Sequence, residues 1–399
     1  MNIFTINTLD RKGGAAEVAW SIKTELEKEG HLVNLFVGRK NSNDKFVKAI
    51  PYSRIIGGLV YLAATDIDFW MSDKILDTEE FRVADVVHCH NLHGNYFKLA
   101  TLEKIAKLKP VVWTFHDMWP ITPHCAHAFD GRVRDGFFQC PSLNTYQKIL
   151  WHNEKYLSRK KKSIYDNSSF HIVVPSLWLK EKVSQSTLSE KPIHLIPNGI
   201  DTSIFFRRDK SICRKKHNLP QNKKIILFVA AGGKNNEWKG WKYTEAVISH
   251  FQKNEECVLV CIGGDRLEKK TSNGIIYIPY VEDKNILSEY FSSADVFLFT
   301  SIAENFPLVV LEAMGSGTPV VSFDVGGVKE AVIHRENGYI SEYKNSKDLI
   351  CGVEYIFSLS LDEIQKMSDH SARRVKDEFS LQIMADKYLK LYKSIIKKE

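Results

Sequence analysis

No run of about 18 apolar residues occurs anywhere in the chain, so no segment is expected to cross a membrane as a helix. The N-terminus, MNIFTINTLDRKGG, opens on a strand pattern and lacks the basic region and apolar core of a signal peptide. Cysteine is sparse. Seven residues at 89, 125, 140, 213, 257, 261 and 351 form an odd, scattered set, which fits a reducing cytoplasm better than a disulfide scaffold. Pro/Gly-rich and polar low-complexity tracts are also missing, which excludes collagen-like and disordered chains. The net charge of +7 is modest, and no nucleic-acid-binding motif accompanies its basic clusters, so nucleic acid is not an expected partner.

What is present describes a globular protein of more than one core. The chain has 399 residues, of which 44% are hydrophobic and 26% charged, enough for two domains. Val-rich, nearly continuous runs at 1–7, HLVNLFV, ADVVHC, PVVWTF and HIVVPS alternate with helical patterns near 15–29, 96–108 and 145–165. Such runs suit parallel strands covered on both faces. The stretch 40–83 is less regular and reads as loops or short helices. After PIHLIPNGID the alternation starts afresh with KIILFVA, helix 239–252, CVLVCIG, GIIYIP, helix 283–292, DVFLFT, helix 307–315 and TPVVSF. The expected class is α/β, with two Rossmann-like domains at 1–203 and 204–377. Helical segments follow at 345–358 and 361–394, and a helix at about 378–394 is expected to pack back on the first domain.

In open parallel sheets, ligands bind beyond the carboxyl ends of the strands, and the distinctive residues stand there. Glu304 and Glu312 flank ENFPLVVLE, just after the strand ADVFLFTS. Pro307 suits the first helical turn, so it and the N–H groups of Asn305, Phe306 and Leu308 begin an anion-binding helix. That arrangement can hold a nucleotide sugar. Amides take the phosphates, Glu304 takes sugar hydroxyls, and Glu312 takes the ribose through its two acceptor oxygens. Gly232, Gly233, Lys234 and Lys239 follow KIILFV and offer close backbone approach and positive charge for a diphosphate. Arg11, Lys12, Gly13 and Gly14 form a glycine turn after the first strand, although not GxGxxG. His116 closes VVWTF, where an imidazole can meet a sugar hydroxyl. Asn198 and Gly199 make a tight turn. His124, Cys125, His127 and Cys140 invite a zinc reading, but their spacing matches no strong zinc pattern, and loop ordering is the better account. Lys160, Lys161 and Lys162, with Tyr156 and Tyr165, could dock an anionic membrane.

Taken together, SxxENFPLVVLEAMGSGTPV (301–320), PNGID, WKG (238–240), GGxxE (326–330) and ENG (336–338) resemble the family 4 glycosyltransferases over about 1–375. WTFHDMWPIT is similar to a subgroup that assembles bacterial surface polysaccharides, whose members often carry extra cysteines in the loop represented here by Cys125–Cys140. The resemblance implies the GT-B fold, two facing Rossmann-like domains with an interdomain cleft. It also implies a retaining hexosyltransferase that takes a UDP- or GDP-sugar and a glycan or lipid-linked saccharide acceptor. No cofactor and no metal are expected, since no Asp-x-Asp pair sits at the cleft and cationic groups can replace Mg²⁺. By resemblance Gly14 belongs to the early glycine loop, His116 lies near the transferred sugar, and Lys239 grips the diphosphate. Glu304 binds the sugar and Glu312 the ribose. Many relatives carry Arg where this chain reads AAGGKNNEWKG, with Gly233 or Lys234 near that place. The expected location is cytoplasmic, with peripheral docking on the inner face of the plasma membrane open through Lys160, Lys161 and Lys162. A sugar-nucleotide epimerase of the same fold, or a non-catalytic nucleotide-sugar-binding partner, is the alternative.

Overall fold

The computed structural model describes the chain except for residues 130, 230–236, 253–255, 265–269, 273 and 397–399. It divides into two compact units, residues 1–197 with 384–399, and residues 198–383. No helix among the described residues is long and apolar enough to cross a membrane.

In the first unit β1 (Asn2–Leu9), α1 (Gly14–Lys28), β2 (Leu32–Arg39) and β3 (Val47–Ala49) come first. The irregular stretch that follows holds α2 (Arg54–Leu62), a 3₁₀ segment at Trp70–Asp77 and α3 (Glu79–Arg82). Then come β4 (Val86–Cys89), α4 (Thr101–Ala106), β5 (Val111–Thr114), the short pair β6 (Val133–Arg134) and β7 (Phe137–Phe138), α5 (Glu154–Asp166), β8 (His171–Val174), α6 (Leu177–Ser184) and β9 (Ile193–Leu195). The main sheet runs β3-β2-β1-β4-β5-β8-β9, parallel throughout. Strand order therefore reverses between β1 and β4, whose carboxyl ends open the crevice where such sheets take ligands.

The second unit repeats the plan. It contains α7 (Lys210–Lys216), β10 (Lys224–Val229), α8 (Trp241–Phe251), β11 (Cys257–Gly264), β12 (Lys270–Ser272), β13 (Ile275–Pro279), α9 (Lys284–Ser293) and β14 (Val296–Phe299). These are followed by α10 (Leu308–Gly315), β15 (Val320–Phe323), α11 (Val328–Ala331), β16 (Gly338–Ser341), α12 (Ser346–Ser358) and α13 (Leu361–Glu378). Its sheet runs β12-β13-β11-β10-β14-β15-β16, with only β12 antiparallel. The reversal here lies between β10 and β14. Phe297, Leu298, Val320 and Val321 are fully buried, which is why these strands read as continuous apolar runs.

Two boundaries differ from the sequence reading. The second unit begins at Asn198, since Asn198 Nδ2 donates to the Phe306 carbonyl at 2.8 Å and Phe205 is buried in that unit's core. The expected helix 361–394 is broken after α13, and α14 (Leu381–Ile396) contributes its residues from Met384 onward to the first unit. The break has a local cause: Ile200 N–H bonds the Phe379 carbonyl and Leu381 N–H bonds the Ile200 carbonyl, a parallel bridge that interrupts the helix. A Cβ on Gly199 would press on the Ser380 backbone, so only glycine allows this approach.

Candidate active site

In the second unit Glu304 stands in the loop between β14 and α10. Pro307 occupies the N-cap, with extended backbone (ψ 125°), so the helix begins one residue later than Pro307 itself suggested. No side chain caps this helix. Its first N–H groups lack partners within the helix, as in any α-helix, and the macrodipole adds partial positive charge there. The loop is fastened at successive carbonyls. Gly327 N–H donates to Asn305 O at 2.7 Å, and Asn198 donates to Phe306 O. Phe306 is buried, its ring 5.5 Å from that of Phe379. Gly326, at φ 55°, lies so close to the Glu304 and Asn305 carbonyls that a Cβ would collide with them. Glu312 lies half-buried one turn into α10.

Lys239 is brought to the same loop by a second set of bonds. Thr300 Oγ1 donates to the Lys239 carbonyl at 2.9 Å, and Ile302 N–H donates to the Trp238 carbonyl at 2.9 Å. Gly240 then turns the chain in the left-handed region (φ 65°) against the Thr300 carbonyl, leaving no room for a side chain. The outcome is an ion pair, Lys239 Nζ to Glu304 Oε1 at 2.6 Å, with both side chains mostly shielded. Gly233 and Lys234 lie outside the described residues.

The first unit gathers histidines around the ends of β4 and β5. His116 follows β5 and pairs with His90, Nε2 to Nδ1 at 2.8 Å, the rings stacked 15° from parallel. Burial drives His116 down to about 4, with Asp117 opposing, so the imidazole is neutral near pH 7. His90 Nε2 is buried without a partner. A bare lone pair costs less there than an unbonded N–H, so His90 is the Nδ1–H tautomer and donates to His116. His116 is then the Nδ1–H tautomer, a hydrogen-bond donor.

Around this pair lies a polar network with little signal in the sequence. His88 bonds Thr114 Oγ1 at 2.8 Å and the Tyr392 hydroxyl at 2.7 Å, and Thr114 bonds the Tyr388 hydroxyl at 2.9 Å. Burial pushes His88 down to about 3. His93 donates from Nε2 to Asp117 at 2.9 Å, and Gln147 donates to its Nδ1 at 2.9 Å. Burial raises the Asp117 carboxyl, but His93 and the Trp119 N–H outweigh it and hold the group below its usual range. No spacing rule links residues 388 and 392 to 88 and 114, so only the fold reveals them.

Other expected residues fall as follows. Gly14 begins α1 behind Gly13 (φ 95°), and a Cβ there would meet nothing within 4 Å, so the turn presents bare backbone. Arg11 is stacked over Trp20 at 3.5 Å. The basic face assigned to Lys160, Lys161 and Lys162 is corrected by the structure. Lys161 is fully buried and donates to the Trp119 and Thr122 carbonyls at 2.8 and 3.0 Å. Lys160 is paired with Asp68, and Lys162 with Asp166 one turn on. A helix has only one side per stripe, and here the apolar packing of Leu157, Ile164 and Tyr165 carries Lys161 inward. Cys125 and Cys140 are joined in a disulfide, which removes both from the zinc reading of His124, Cys125, His127 and Cys140.

Two family models match the chain, Glycosyltransferase Family 4 over residues 12–204 and Glycosyl transferases group 1 over residues 209–374. WcaC of Escherichia coli (strain K12), a glycosyl transferase assigned to colanic acid biosynthesis, is 24% identical over 426 residues, covering 99% of this chain and 100% of its own. A 41.2 kDa protein of the Klebsiella pneumoniae cps region is 23% identical, covering 80% of this chain and 82% of its own. Among solved structures, sucrose-phosphate synthase from Thermosynechococcus elongatus superposes with a TM-score of 0.72 at 17% identity, covering 100% of this chain and 99% of its own. HepE of Anabaena, solved with UDP-glucose, gives 0.69 at 14% identity, with 98% and 99% covered. Similarity at this level identifies a shared architecture, two Rossmann-like parallel-sheet domains of the GT-B type.

Proposed function

Because the chain belongs to the family 4 (group 1) glycosyltransferases, we propose that it moves a hexosyl group from a UDP- or GDP-sugar to a hydroxyl of a glycan or lipid-linked saccharide during surface polysaccharide assembly. The observation that carries this reading is the Lys239–Glu304 pair beside the uncapped start of α10. A cation and an anion-binding helix end match the diphosphate leaving group of a nucleotide sugar, and an acceptor carboxylate matches its hydroxyl-rich ring. WcaC and the sugar-nucleotide complex of HepE support the reading by similarity.

On binding, the donor diphosphate takes over Lys239 and the N–H groups at Leu308 and Val309. Glu304, released from the lysine, accepts from hydroxyls of the transferred sugar, and Glu312 accepts from the ribose. Lys239 and the helix end stabilise the charge that grows on the leaving phosphate, a role filled elsewhere by a divalent cation. Attack proceeds on the face the phosphate leaves. The acceptor O–H proton passes to the departing phosphate oxygen as the new glycosidic C–O bond forms, so anomeric configuration is retained. We assign neutral His116 of the first unit, an Nδ1–H donor, to the transferred sugar.

A panel of UDP- and GDP-hexoses tests this by saturation-transfer NMR, followed by turnover with saccharide acceptors. The reading requires nucleoside diphosphate release that depends on the acceptor, and a product with the donor's anomeric configuration. Interconversion of donor epimers without diphosphate release would make the protein an epimerase. Tight donor binding with no turnover on any acceptor would make it a binding partner.

A further inference from the structure

Helix α2 breaks the usual rule for a surface helix. Gly57 and Val60 face inward, yet the outward stripe is also apolar: Ile55, Leu59 and Leu62 are 78%, 53% and 65% exposed. These positions are four and three residues apart and so share one face. After Arg54 the helix reads IIGGLVYL, with no charge. Leu150 and Trp151, each almost half exposed, extend the apolar surface. The Trp151 indole N–H donates to the Leu62 carbonyl at 3.0 Å, and Asn153 donates to the Ala63 and Ala64 carbonyls. Contiguous exposed apolar surface fixed by hydrogen bonds marks an interaction site.

The surrounding charge selects the partner. Arg54, Lys148, Lys155 and Arg159 are exposed, and among the described residues none has a carboxylate partner. Acyl chains beneath anionic headgroups satisfy both features, with Trp151 suited to the boundary. A second copy of the chain does not, because a two-fold contact through this face would bring the two sets of cations together. We propose that α2 and the Leu150–Trp151 corner form a docking surface for an anionic bilayer. Ile55, Leu59, Leu62 and Trp151 enter beneath the headgroups, and Arg54, Lys148, Lys155 and Arg159 meet lipid phosphates. This surface is distinct from the Lys160–Lys162 run, whose members are paired or buried, and it does not depend on glycosyl transfer.

The experiment is cosedimentation of the full chain with phosphatidylcholine vesicles, with and without phosphatidylglycerol. Wild type is expected to sediment with the mixed vesicles. The double substitution Ile55→Ser/Leu59→Ser should lower the partition coefficient by at least about tenfold. Lys155→Gln and Arg159→Gln should each lower it by about fivefold, on phosphatidylglycerol vesicles only. Lys162→Gln should leave it unchanged. Wild type that stays in the supernatant overturns the proposal, as does equal binding by Ile55→Ser/Leu59→Ser or a Lys162→Gln effect as large as that of Lys155→Gln. A wild-type dimer by analytical ultracentrifugation that Ile55→Ser/Leu59→Ser converts to monomer would also overturn it. Calorimetric binding of UDP or GDP, unchanged in these variants, keeps the result separate from the donor reading.

Discussion

Lys239 and Glu304 hold each other at 2.6 Å, so the two groups assigned to the donor neutralise one another before any donor arrives. The pair ties Lys239 to the loop that precedes α10, and in the proposed complex a diphosphate competes for the lysine. Removing one partner leaves the other mostly shielded and unpaired, which differs from removing a contact that water could replace. Glu304→Gln keeps the shape but weakens the acceptor, and kcat should fall about 10- to 100-fold with little change in melting temperature. Lys239→Ala should lower kcat/KM by at least as much. Glu312→Ala should act chiefly on donor KM. Steady-state kinetics with saturating acceptor separate the three, and equal activity in Glu304→Gln and Glu312→Ala would remove the assigned roles.

Gly240 is where the site depends on backbone rather than side chain. Its left-handed φ and its contact with the Thr300 carbonyl exclude a Cβ. Gly240→Ala should cost about 1–3 kcal/mol and loosen the Lys239 turn, raising donor KM together with the loss of stability. Urea denaturation and donor titration measure the two effects. Gly58→Ala, in a helix and open to solvent, should be neutral or slightly stabilising.

Acid should unfold the first unit from its histidine core. His88 sits near 3 and His116 near 4 in the folded chain, both below the ordinary 6.5 because burial disfavours the imidazolium. The unfolded chain therefore binds more protons in this window. The contribution is complete above about pH 6.5 and declines as pH falls, levelling off near 4 for His116 and near 3 for His88. By pH 5 the loss is about 2 kcal/mol per histidine. Urea midpoints between pH 7.5 and pH 5 follow it, and a flat profile would contradict a buried neutral pair.

Lys161 is a structural lysine. Burial pulls it down to about 7, it caps two carbonyls, and its ammonium lies 3.5 Å from the centre of the Trp119 ring. Lys161→Met retains the volume but strands those carbonyls, and should destabilise by about 2–4 kcal/mol. Lys162→Met, at an exposed pair, should change stability by less than about 0.5 kcal/mol. Thermal melts of the two variants make the comparison.

The strands and the loop that leads into α10 were readable for a physical reason. A parallel strand covered on both faces must be apolar throughout, and ENFPLVVLE follows such a strand with a turn residue and two acids. Burial of Lys161 was not readable, because three consecutive lysines specify no face, and the deciding partners are carbonyls about 40 residues away. The break at Phe379–Leu381 was hidden too, since its cause is Ile200, far off in sequence. Helix α2 shows the converse limit. Its apolar spacing is plain in the sequence, but periodicity gives a stripe and not the direction in which the stripe points. The Cys125–Cys140 pair sits within a chain whose other described cysteines are free, so composition alone argued against it.

The first unit receives residues 384–399 only after all of residues 198–383 have been made. Tyr388 and Tyr392, which bond Thr114 and His88 in that unit, therefore leave the ribosome after all of residues 198–383. Until they arrive, Thr114 and His88 lack these two hydroxyl partners, while residues 198–383 already form a compact unit. The sheet begun first thus waits for residues made after the whole of the second unit.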